Sequence, residues 1–142
     1  MKDIPRILAA VTLGLLVGAA INMALVMLGG ALVPPPPGVT VTDEDSLRRA
    51  IPLFGARHFV FPLLAHAMGS LVGAHVAARI APVTARRWAL LVGGFFLVGG
   101  LQMARHLPSP TWFLVADLGL AYLPAAWLGA RLAPGPTTDA AG

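Results

Sequence analysis

The chain has 142 residues, of which 57% are hydrophobic and only 11% charged. Soluble domains carry about 25% charged residues, so the composition excludes an ordinary water-facing globule and a disordered chain, and the lack of cysteine excludes a disulfide-stapled scaffold. Ten Lys and Arg against six Asp and Glu give a net charge of +4, but the basic residues stand at the ends of apolar runs, a pattern of membrane orientation rather than of nucleic-acid binding.

Four apolar runs occupy residues 7–33, 59–80, 88–104 and 112–132. About 20 residues of helix cross the hydrocarbon of a bilayer, and the backbone there must bond internally. The fold class read from these runs is an all-α membrane protein, a four-transmembrane-helix bundle, in one domain over residues 1–133. The third run is short. Lys2 and Arg6 before an apolar run with Gly18, Ala19 and Ala20 also outline a cleaved signal peptide, but the run reaches Val33 and favours a retained anchor.

The loop at residues 34–58 opens with Pro34-Pro35-Pro36-Pro37-Gly38, a stiff extended rod. Thr42 is the expected N-cap of a short helix with Asp43, Glu44 and Asp45 in its first turn, closed by Pro52. Leu47, Ile51 and Phe54 then lie on the bilayer surface or cap the bundle. Pro124 is expected to kink the fourth helix. Residues 134–142 read as a disordered tail.

Placing the N-terminus in the cytoplasm puts Lys2, Arg6, Arg79, Arg86, Arg87 and Arg131 inside, and Arg48, Arg49, Arg57 and Arg105 outside. This asymmetry favours both termini inside. Trp88 and Trp127 then mark the inner interface, and Trp112, Phe59 and Phe61 the outer one. Two short echoes suggest tandem hairpins: Leu15-Leu16-Val17-Gly18-Ala19 with Leu90-Leu91-Val92-Gly93-Gly94, and Ala78-Arg79-Ile80-Ala81-Pro82 with Ala130-Arg131-Leu132-Ala133-Pro134. Chance matches among residues common in membranes are the competing account.

Small residues let membrane helices approach closely. Such stripes run through Ala10, Gly14, Gly18; Ala65, Gly69, Gly73, Ala77; and Ala121, Ala125, Gly129. Each helix also carries a polar group beside its small residues. Counted from the basic anchors, Asn22, His66, Gln102 and Asp117 lie 13 to 16 residues deep, roughly 20 to 24 Å along a helix, with Arg105 just beyond. The candidate polar layer is therefore Asn22, His66, Gln102, Arg105 and Asp117. It is either a buried latch that neutralises Asp117 or an ion- or proton-binding site built on His66 and Asp117.

Other chemistry is weakly supported. His58, His66 and His75 do not share a helical face, and no Cys or acidic partner completes a metal set. His75 is expected to pack or snorkel with Arg79. Ser70 lies one turn from His66, within reach of a hydroxyl–imidazole contact, but no nucleophile motif surrounds it. No catalytic residue, metal or cofactor is expected. The expected partners are the lipid bilayer and another membrane protein or further copies of this chain, with no nucleic acid.

Three segments carry a resemblance: the Pro34-to-Gly38 loop, Ala65-His66-Ala67-Met68-Gly69-Ser70-Leu71-Val72-Gly73, and Pro110-Thr111-Trp112-Phe113 followed by Tyr122-Leu123-Pro124-Ala125-Ala126-Trp127-Leu128-Gly129. The chain resembles a group of small bacterial four-helix integral membrane proteins. The resemblance implies the topology and a bacterial inner-membrane address, and carries no activity. The leading expectation is an accessory or scaffold protein that binds a membrane partner through its loop or open glycine faces such as Gly14/Gly18. The alternative is an oligomeric proton- or ion-linked transporter or channel using His66 and Asp117. An enzyme ranks third.

Overall fold

The computed structural model describes residues 3–81 and 84–133; the tail from 134, Lys2, and Pro82 and Pro134 of the second sequence echo lie outside them. Helices form α1 (Ile4–Leu32), α2 (Glu44–Ala50), α3 (Arg57–Ile80), α4 (Ala85–His106), α5 (Thr111–Leu120) and α6 (Leu123–Leu132). A single 3-10 turn, Ile51–Leu53, follows α2. Four helical stretches are long and apolar enough to cross a membrane: Ile4–Leu32, Arg57–Ile80, Ala85–His106 and Thr111–Leu132. The third is longer than its apolar run because Arg86, Arg87 and Arg105 belong to its ends. The protein is a multi-pass, all-helical membrane bundle.

The centre of the bundle is α3, which packs against α1, α4 and α6. Its seam with α1 runs backbone to backbone. A Cβ added at Gly14 would lie 2.7 Å from the Gly73 carbonyl oxygen, and one at Gly18 2.6 Å from that of Gly69. The pairing runs antiparallel, and Arg6 Nε donates to the Ile80 carbonyl at 2.7 Å, satisfying an orphan acceptor at the end of α3. The Gly14/Gly18 face is thus filled within the molecule and is not open to a partner. On the far side of α3, Ala74 and Ala78 pack with Ala89 and Ala126. Gly129 brings α6 against the backbone at Leu71 and His75. His75 shares a 3.2 Å hydrogen bond with the Gly129 carbonyl oxygen; it ties α3 to α6 rather than snorkelling beside Arg79. Both termini of the described chain lie at one end of the bundle, here the termini end. There Arg131 and Arg86 cover the Trp127 ring at 4.7 and 5.7 Å, a cation–π cluster.

The opposite, loop end is built differently. The Pro-rich segment closes in a turn in which Val39 N–H donates to the Pro36 carbonyl at 3.0 Å. Gly38 sits there at φ +81°, the conformation a turn with Pro then Gly at its centre requires. The N-cap of α2 is Asp43, not Thr42: its carboxylate accepts from Ser46 N–H at 2.8 Å and Ser46 Oγ reciprocates. The side chain one residue nearer the helix reaches the orphan amide. The α-helix ends at Ala50, just ahead of Pro52, which sits in the following 3-10 turn, where its missing N–H costs nothing. Leu47, Ile51 and Phe54 cap the bundle, packed with Phe59 and Phe113. Phe59 is consequently buried and is not a lipid-facing belt residue; Trp112 remains half exposed.

The fourth crossing is interrupted. Pro124 lacks an amide proton and its ring crowds the carbonyl of Leu120. The helix ends at Leu120 and restarts at Leu123, with Tyr122 between at φ −110°, ψ −81°.

Candidate functional site

His66 on α3 and Asp117 on α5 meet across the bundle, Nδ1 to Oδ1 at 2.7 Å. Tyr122 joins them: its hydroxyl donates to Asp117 Oδ2 at 2.9 Å and lies 2.9 Å from His66 Nδ1. The rings of His66 and Tyr122 stack at 5.5 Å. One proton arrangement gives every contact a donor. Nδ1–H of His66 donates to Asp117 Oδ1, with the Tyr122 oxygen as a second acceptor, and both carboxylate oxygens accept. Nε2 of His66 is then the ring nitrogen left over. Asp117 is buried, whereas the His66 side chain is 27% exposed. A carboxylate that holds Nδ1 fixes the imidazole's tautomer and orientation.

His66 and Asp117 line a cavity of about 250 Å³, with Tyr122 behind them. Walls come from α3, α4 and α5, and the roof from α2, the 3-10 turn and Phe54. The lining is overwhelmingly apolar; its ionisable side chains are His58, His66 and Asp117. In the lining, His58 stacks on Phe54 at 4.7 Å. Its two ring nitrogens lie 3.1 and 3.2 Å from the carbonyl oxygens of Gly55 and Pro34, which fastens the end of α1 to the start of α3. Pro62, also in the wall, leaves the His58 carbonyl without its helical donor.

The remaining members of the expected layer are elsewhere. Asn22 is half-buried and packs over Gly69, 3.1 Å from where a Cβ there would sit. Gln102 and Arg105 are exposed on α4. Depth along a helix does not fix rotation about it. Gly100 faces Tyr122, and Gln102, two residues on, is turned about 200° away. Arg105 follows Met103, which lines the cavity, and is likewise rotated off the site. Ser70 Oγ is buried without a hydrogen-bond partner; His66 turns to Asp117 and not to it. All seven expected packing residues, Gly14, Gly18, Gly69, Gly73, Ala121, Ala125 and Gly129, are buried.

Tyr122 is the site residue that sequence reasoning missed. In an unbroken helix it would sit about 140° around from Asp117. Only the break ahead of Pro124 brings its hydroxyl back to that carboxylate. Pro124 was the available signal, because a broken membrane helix frees both backbone and direction where it breaks.

No family model, curated relative or solved structure matches the chain.

Proposed function

We propose that this protein is a proton-linked carrier of the bacterial inner membrane, with both termini cytoplasmic and His66, Asp117 and Tyr122 as its exchange site. One observation carries the reading: a carboxylate-oriented imidazole lines an otherwise apolar cavity between membrane helices. A latch needs only to neutralise Asp117 in close packing. Here the imidazole borders open space large enough for a ligand, and its free nitrogen is the group that takes or releases a proton. Ionisable groups at such depth are costly, and they recur where protons or ions move. The basic residues at the termini end support the orientation.

The test is exchange in proteoliposomes holding a pH-sensitive dye, challenged with gradients of alkali cations and of small amines, with protein-free vesicles as reference. Wild type moves protons against one of these gradients. Asp117→Asn and His66→Ala abolish the movement, and Gln102→Ala and Arg105→Ala retain it. Wild-type vesicles that behave like empty ones, with variants that merely unfold earlier, would leave the triad a structural latch.

A further inference from the structure

From the same cavity, and resting on the carrier reading, we infer that the ligand is an organic monocation with a compact apolar body, which displaces a proton from His66. The argument begins with charge. Asp117 accepts hydrogen bonds on both oxygens and His66 supplies Nδ1–H to it. With Nε2 unprotonated, the triad carries one negative charge in an apolar surround. A proton on Nε2 cancels it. A monovalent cation in the cavity cancels it equally. Both together leave an uncompensated positive charge, which burial penalises. Proton and cation therefore exclude each other. An anion has no such balance, because even with His66 doubly protonated it leaves the site at minus one.

The surround supports this choice. His66 contacts Asp117 and Tyr122 from the fourth crossing, and the cavity lining beyond them includes uncharged Gly100 and Met103 from α4 and Val26 from α1. Arg105 and His106 are exposed on α4 and do not line the cavity. His58 is the other ionisable lining group; as a neutral imidazole it donates its one N–H to the carbonyl of Gly55 or of Pro34 and adds no charge to the cavity. Phe54, Phe59 and Phe113 supply aromatic rings in the lining, surfaces that attract organic cations. A bare metal cation is a poor fit: hard cations want several oxygen ligands, and both carboxylate oxygens are already used. For size, a dry cavity of about 150 Å³ holds benzene; the 250 Å³ here accommodates a ring with a short side chain.

The experiment uses the whole protein in lipid nanodiscs and three probes of similar shape: phenethylammonium, 2-phenylethanol and 3-phenylpropionate. Binding is measured calorimetrically in buffers of different ionisation enthalpy, which reports protons released. The cation binds at least roughly tenfold tighter than either analogue. Its binding releases close to one proton. Asp117→Asn removes both the preference and the release, and His106→Gln, at an exposed position on α4 outside the cavity, retains them. Phenylpropionate binding tightest, or cation binding without proton release in wild type, overturns the inference. The two readings separate cleanly. Binding with proton release but no exchange in vesicles sinks the carrier and leaves the ligand class standing. Exchange in vesicles with no preference for the cation does the reverse.

Discussion

The α1–α3 seam and the loop-end cavity share the same central helix and solve opposite problems. Along the seam, α3 presents Gly69, Gly73 and Ala77, and the partner backbone comes close enough to exclude any side chain. Towards the loop end the same helix carries Phe59, Pro62 and His66, and the neighbouring helices stand apart around a void. Larger side chains replace small ones along α3, and on its α4 and α5 side contact turns into cavity. A membrane helix gains no hydrophobic drive from meeting another, so close backbone packing must hold the bundle. That packing at one end frees the other to stay open.

The comparison breaks most visibly at the seam. Gly73→Leu forces atoms into the Gly14 carbonyl, which lies 2.6 Å from the added Cβ, and is expected to cost roughly 3 kcal/mol, read from detergent-titrated unfolding. A near-normal midpoint would mean that the seam does not hold the fold. At the cavity, Tyr122→Phe strips one donor from a buried carboxylate and should cost about 2 kcal/mol, with binding of the amine probe changed as well. Enlarging a cavity wall sharpens the contrast: Ala104→Leu adds bulk where there is space and should shift stability by no more than about 1 kcal/mol while blocking the probe. The smallest effect lies at the α2 cap. The Ser46 backbone N–H, then its hydroxyl, hold the Asp43 carboxyl below the usual carboxylate range. A lowered value means the cap is intact above the ordinary range and is lost as pH falls through the lowered one. Amide exchange at Ser46 should accelerate there while the four crossings keep their protection.

Much of the bundle is legible before any coordinates. The i+4 spacing of Gly14 with Gly18 and of Gly69 with Gly73 is visible as text, and only close helix packing gives such spacing a use. His66 and Asp117 are legible as candidates because ionisable groups at that depth need partners. Gln102 and Arg105 mislead because depth was readable and rotation was not. The scaffold expectation leaned on Gly14/Gly18 as an open face, which no local pattern distinguishes from a face already taken.

The sequence by itself determined four membrane crossings, the small-residue stripes and the two costly side chains, since each follows from the price of exposing polar groups to lipid or from local helical spacing. Tertiary structure alone decided that α3 is central, that α2 and its 3-10 turn roof a cavity, and that Tyr122 completes the triad. These depend on which helices meet and on how far the Pro124 break swings the chain, and neither is encoded within a few residues of the groups concerned.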